Sequence, residues 1–213
     1  MTTTECRLRE QMARLCRSLF ERRFSVGSAG NVSVRLPDGM LMTPTNARLG
    51  EVDPHAIAKI GLDGQHIYGG RPTKEVVLHR AYYETRPEAG AIVHLHSTWA
   101  TALSCMEETD PEDCIPAITP YVVMRVGTVK MVPYVRPGDP AMGDRIRALK
   151  GRHAAVLLAN HGPVVSGTDL HSAVNAAEEL EETAKLLVAL RGVPTRMLSP
   201  EKVVELKSTF GTI

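Results

Sequence analysis

The sequence predicts an α/β fold with strands and helices alternating along its length. Three observations lead there. Apolar residues at helical spacing open the chain, at Leu8, Met12, Leu15, Leu19 and Phe20. Strand-like alternation follows over Val32 to Leu36 and turns back at Pro37-Asp38-Gly39. Short apolar runs such as Ala154 to Leu158 then alternate with helical stripes, the pattern of a layered α/β protein. No repeat, linker or low-complexity stretch breaks the 213 residues, which read as one domain, 1–213.

The elements follow in order. The first helix spans Glu5 to Arg23, and the small residues Gly27 to Asn31 form a loop. Val32 to Leu36 and Met40 to Thr43 pair as a hairpin. Short strands around Ile57 to Ile60 and His66 to Tyr68 bracket the turn Asp63-Gly64. Pro72-Thr73 opens a helix to about Thr85, with Thr73 as N-cap and Glu75 in the first turn. An apolar strand carries His94, and a helix runs from about Trp99 to Glu107. Val129 to Val135 reads as a strand, Ala141 to Leu149 as a helix and Ala154 to Leu158 as a buried strand. Asn160-His161-Gly162-Pro163 turns tightly into Val164-Val165. A long helix from Asp169 to about Leu190 shows a stripe at Leu170, Val174, Ala177, Ala184 and Leu187. Its acidic run, Glu178, Glu179, Glu181 and Glu182, reads as a solvated face with a Glu181–Lys185 pair. Ser199 to Ser208 closes the chain as a short helix.

Bulk properties exclude several classes. Net charge is +1 with no basic stripe, which argues against nucleic-acid binding. No apolar run reaches the roughly 20 residues that cross a bilayer, and Met1 to Glu10 has no signal-peptide core, so a cytoplasmic protein is expected. The four cysteines form no C-x-x-C and read as reduced thiols.

His94 and His96 are the strongest chemical signal. Residues two apart on a strand leave one face together, and neutral imidazole is a favoured transition-metal ligand. His161, aimed by the Gly162-Pro163 turn, is either a structural turn residue or a third ligand. Glu75 is either an ordinary helix-start carboxylate or a metal-adjacent acid/base. His79 shares its helix face, but its flanks mark it as packed. His55, His66, His153 and His171 read as surface. Gly27 to Asn31, Thr43-Pro44-Thr45-Asn46 and Pro72-Thr73-Lys74 carry the hydroxyls and turn backbone of an anion cradle, and are equally ordinary turn formers. Tyr121 is either a packed tyrosine or a proton donor.

Taken together, Gly27-Ser-Ala-Gly-Asn-Val-Ser-Val-Arg35, Met40-Leu-Met-Thr-Pro-Thr45, Pro72-Thr-Lys-Glu75, Val93-His-Leu-His96 and Asn160-His-Gly162 resemble the class II aldolase/adducin family, in the family's order. The stretches His94 to Cys105, Thr119 to Arg125, Pro133 to Asp139 and Glu178 to Lys185 resemble its 3-oxo-tetronate 4-phosphate decarboxylase branch. The resemblance implies a three-layer fold with a central, largely antiparallel sheet between helices. It implies zinc, or another divalent transition metal, held by Glu75, His94, His96 and His161. Glu75 would act as acid/base and Tyr121 as proton donor. Phosphate contacts would come from Gly30, Asn31, Thr45, Asn46, Thr73 and Lys74. The chain departs from the aldolase pattern at Asn46 and Lys74, which leaves Lys74 a choice between phosphate and carboxylate. The implied reaction is decarboxylation of a phosphorylated acid sugar to dihydroxyacetone phosphate through a metal-stabilised enediolate. Aldol cleavage of a sugar phosphate such as L-fuculose 1-phosphate is the alternative, and a non-catalytic adducin-like binding module the third reading. A homotetramer with sites at subunit interfaces is implied as well.

Overall fold

The computed structural model describes residues 2–211. Helix α1 (Thr3–Glu21) starts at Thr2, whose hydroxyl accepts from the Glu5 N–H at 3.2 Å. Strands β1 (Asn31–Leu36) and β2 (Gly39–Met42) form the expected hairpin, with Leu36 opposite Gly39. The chain continues through β3 (Ala58–Gly61), β4 (His66–Tyr68), α2 (Val76–Thr85), β5 (Ala91–His94) and α3 (Thr98–Cys105). It then forms α4 (Pro120–Arg125), β6 (Lys130–Val132), α5 (Ala141–Ala148), β7 (Ala155–Leu158), β8 (Gly162–Gly167), α6 (Leu170–Ala189) and α7 (Pro200–Phe210).

The eight strands make one sheet in the order β4-β3-β2-β1-β5-β8-β7-β6. Every neighbouring pair is antiparallel except β6 with β7. Alternation along each strand divides the apolar residues between two cores. Val32, Val34, Val93, Leu157 and Val165 join the core that includes residues of α1, α3, α4 and α6. Ile92, Val156, Leu158 and Val164 join Leu78, Tyr82, Met142 and Ile146 of α2 and α5 on the other face. This is the three-layer arrangement with a largely antiparallel sheet. The same parity sets the site: Asn31 and Ser33 alternate with Val32 and Val34, and His94 follows Ile92 in phase, so all three face α2.

Several sequence expectations are corrected. Helix α4 was not anticipated; at six residues it is too short for helical periodicity, and Pro120 starts it behind the Thr119 cap. Helix α2 begins at Val76 with Glu75 at its N-cap, while Thr73 sits two residues earlier and accepts from the Glu75 N–H at 3.4 Å. The strand expected over Val129 to Val135 is only Lys130–Val132, because pairing with β7 stops there. The acidic run of α6 is not uniformly solvated. Glu181 is buried and accepts from the Ser97 hydroxyl and the Trp99 and Ala100 N–H groups at 2.7–2.8 Å, so it caps α3. Lys185 accordingly pairs with Glu182, at 3.8 Å, in place of Glu181.

Candidate metal centre

Strand β5 ends at His94, and the chain continues past His96 into α3. β8 runs beside β5 with Val164 opposite His94, which brings the turn before it, and His161, to the same end of the sheet. Two glycines allow the close approach. A Cβ on Gly30 (φ +82°) would sit 2.8 Å from the His94 carbonyl oxygen, and one on Gly162 (φ +153°) would sit 2.4 Å from that of Leu95. Asn160 takes the left-handed conformation (φ +56°) that asparagine tolerates.

The three imidazoles converge. His96 Nε2 lies 3.1 Å from His94 Nε2 and 3.0 Å from His161 Nε2, with ring centroids 4.6–4.9 Å apart. Glu75 joins them, Oε2 lying 3.4 Å from His94 Nε2 and Oε1 lying 3.8 Å from His161 Nε2. His94 Nδ1 donates to the Pro163 carbonyl at 2.9 Å, which leaves the Nε2 lone pair facing the cluster. A tetrahedral ion bound by imidazoles at ordinary Zn–N lengths needs nitrogens roughly 3.3 Å apart. The observed separations fall close to that, so this donor set fits a divalent transition metal.

Burial, followed by the neighbouring His94 and His161, holds His96 down at about 4, with Glu75 opposing. Burial and His94 also lower His161. Both are therefore neutral at pH 7, the form that binds a metal. Burial works to raise the Glu75 pKa, but His94, the Asn31 hydrogen bond, His161 and His79 outweigh it and hold the carboxyl below its ordinary value.

Of the expected phosphate residues, Gly30, Asn31, Thr73 and Lys74 stand beside His94 or Glu75. Asn31 pairs with His94 across β1 and β5. An antiparallel bridge between Pro44 and Pro72 draws together the segments that carry Thr45-Asn46 and Thr73-Lys74, with Thr45 opposite Arg71. The Thr45 N–H is already donated to Arg71 at 2.8 Å, and one Asn31 amide hydrogen goes to Glu75 at 2.7 Å. The Thr45 hydroxyl and the second Asn31 amide hydrogen remain. Lys74 lines a small recess with Glu75, Arg136 and Gly138. Tyr121 is not brought to the cluster within one chain: it is 53 % exposed on α4, with the Arg125 guanidinium 5.5 Å from its ring centroid.

His79 is packed, as its flanks suggested, and so fully that burial, then the proximity of His94, hold it at about 3. His55, His66 and His171 are exposed and His153 half-buried. Sequence reasoning missed Ser33, Tyr83, Glu181 and Arg136. For Ser33 a signal existed, a small polar residue in register with Asn31 and Arg35, alternating with Val32, Val34 and Leu36.

The comparisons place this three-layer fold, with its gathered histidines, in a family of lyases. The chain belongs to the class II aldolase family: residues 10–188 match the family described as Class II Aldolase and Adducin N-terminal domain. It is 50% identical to the 3-oxo-tetronate 4-phosphate decarboxylase of Escherichia coli (strain K12) over 202 residues, 94% of this chain and 95% of that protein. The crystal structure of YgbL from Escherichia coli superposes with a TM-score of 0.94 at 47% identity, covering 96% of this chain and 100% of that one. The L-fuculose phosphate aldolase of Escherichia coli (strain K12) is 33% identical over 211 residues, 97% of this chain and 95% of its own length. No helix among the described residues is long and apolar enough to cross a membrane.

Proposed function

We propose that this chain is a metal-dependent carboxy-lyase that converts 3-oxo-tetronate 4-phosphate to dihydroxyacetone phosphate and carbon dioxide. The observation that carries the reading is the convergence of Glu75, His94, His96 and His161 in a chain half identical, over nearly its whole length, to decarboxylases of that substrate. A divalent metal, zinc in the first instance, would be held by the three histidines with Glu75 and would supply Lewis-acid stabilisation of the negative charge developing in the substrate.

The protein residues supply the rest. When the C1–C2 bond breaks, its electron pair passes toward the C3 ketone and leaves an enediolate, which takes a proton at C2. Glu75, 3.4 Å from His94 at the edge of the cluster, would carry that proton within one chain. Tyr121 would serve a site only across a subunit boundary, which the tetramer reading supplies. The substrate carries an anion at each end. The Gly30, Asn31, Thr45, Asn46 and Thr73 segments suit the phosphate. Lys74 and Arg136, at the recess beside Glu75, are cations available to the carboxylate. A cytoplasmic location belongs to the same reading.

A second reading, aldol cleavage, is favoured by the 33% identity to an L-fuculose phosphate aldolase, since both reactions leave the same enediolate. Incubating the purified protein with 3-oxo-tetronate 4-phosphate and with L-fuculose 1-phosphate, and assaying carbon dioxide and aldehyde separately, distinguishes them. Carbon dioxide from the first substrate is expected. Aldehyde from the second without carbon dioxide from the first would establish the aldolase, and neither product would favour the binding module.

A further inference from the structure

Behind Glu75 lies a hydrogen-bond chain of which the reaction just described uses only Asn31. Asn31 Nδ2 is 2.7 Å from Glu75 Oε2, and Asn31 Oδ1 is 2.6 Å from His79 Nε2. His79 Nδ1 is 2.7 Å from the Ser33 hydroxyl, which is 2.8 Å from the Tyr83 hydroxyl. All four supporting residues are buried, His79 and Ser33 completely. The local spacing explains the alignment. Asn31 and Ser33 share one face of β1, and Glu75 and His79 stand one helical turn apart at the start of α2.

The direction of each bond follows from the donor and acceptor inventory. An ionised Glu75 offers only acceptors, so the Asn31 amide must turn its N–H toward it. Asn31 then presents its oxygen to His79, which must carry its proton on Nε2. His79 Nδ1 is therefore a bare acceptor and takes the Ser33 hydroxyl proton. The Ser33 oxygen in turn accepts from Tyr83. Complete burial keeps the ring neutral, and of the two neutral tautomers only Nε2–H satisfies both neighbours, since Asn31 presents an oxygen and Ser33 can donate. The amide of Asn31 interrupts any proton path. The chain therefore orients and does not conduct.

We infer that His79, held in its Nε2–H tautomer by Ser33 and Tyr83, is a positioning residue that fixes the Asn31 amide and through it the angle at which the Glu75 carboxylate faces the three histidines. This deepens the lyase reading and rests on it only for the catalytic consequence, since the tautomer is a property of the folded chain. Displacing a reacting group by about an ångström costs about 10²-fold in rate, so His79→Leu should lower kcat on that scale. The bound-metal stoichiometry should stay near that of the unmodified protein, and KM, which depends on Asn31 only through one N–H to the phosphate, should change less than kcat. His79→Gln, which keeps an N–H for Asn31, should recover about tenfold or more of the loss. Ser33→Ala, which removes one hydroxyl without opening the core, should fall between them and carries the test if His79→Leu does not fold.

The decisive measurement is the imidazole 15N spectrum of the purified protein together with these kinetics. The spectrum should show His79 neutral and protonated on Nε2, whether or not the protein turns over substrate. A His79 protonated on Nδ1, or a kcat unchanged in folded His79→Leu and Ser33→Ala proteins, would overturn the inference. A wild-type protein that releases no carbon dioxide would overturn the lyase reading and leave the tautomer result standing.

Discussion

Replacing Glu181 tests how the histidine-bearing segment is anchored. Its Oε1 accepts from the Trp99 N–H at 2.8 Å, and its Oε2 accepts from the Ala100 N–H at 2.8 Å and the Ser97 hydroxyl at 2.7 Å. These donors belong to the first turn of α3, directly after His96. Hydrogen bonds to a charged acceptor contribute about 1.5–3 kcal/mol each, but three on one group do not add, and water entering the space left by Glu181→Ala restores part of the loss. Three neutral donors stranded at about 1–3 kcal/mol each, partly relieved by that water, set the net cost at about 3–5 kcal/mol. A chain of this length shifts in Tm by about 2–4 °C per kcal/mol, so Tm should fall by roughly 6–20 °C. Glu181→Gln can keep the two bonds at Oε2 while turning an N–H toward that of Trp99, and should fall by less. Glu182→Ala, in an exposed position, should stay within about 2 °C. Differential scanning calorimetry at pH 7 reads all three. A Glu181→Ala shift no larger than that of Glu182→Ala would refute the capping role.

Three further outcomes follow from the structure. Burial works to raise the Glu5 pKa, but the Tyr68 and Arg9 hydrogen bonds and the charges of Lys59 and Arg9 hold it below its ordinary value. Its stabilisation is therefore complete above the unfolded-state pKa, roughly 4.3, and is lost as pH falls through the folded-state pKa. The Tm gap between the wild type and Glu5→Gln should be widest near neutrality and narrow on acidification, whereas a pH-independent gap would contradict this. Glu75→Gln should retain metal on the three histidines yet turn over at least about 10²-fold more slowly, as steady-state rates and metal analysis will show. Lys74→Ser and Arg136→Ala should raise KM for the 3-oxo acid more than kcat falls; equal KM values would remove both from carboxylate binding.

Much of this site was legible in the sequence because its residues obey short-range rules. His94 ends its strand and His96 follows two residues on, just beyond it, where the expected strand had placed both; His161 stands on a turn that Gly162 shapes, and Glu75 stands at a helix start. The sheet parity that faces Asn31 toward α2 was likewise readable from Val32 and Val34. What escaped depended on contacts distant in sequence. Glu181 lies seven residues after Val174 and four after Ala177, in phase with the buried stripe of α6, yet its acidic neighbours made it look solvated. Only the fold shows that α3 presents three donors to it. His79 was recognised as packed, but its bonds to Asn31 and Ser33 required β1 to lie beside α2. Helix α4 gave too few residues to show a period. Tyr121 lies outside the cluster of its own chain, so no local pattern could connect them.

The central claim is that Glu75, His94, His96 and His161 hold a divalent metal required for carbon dioxide release. It is tested most directly by stripping the purified protein with a chelator, measuring carbon dioxide from 3-oxo-tetronate 4-phosphate, and adding back zinc, with His96→Ala carried through in parallel. The account predicts activity lost on stripping, restored by about one zinc per chain in the wild type, and not restored in a folded His96→Ala protein. Full activity in the metal-free wild type would contradict it.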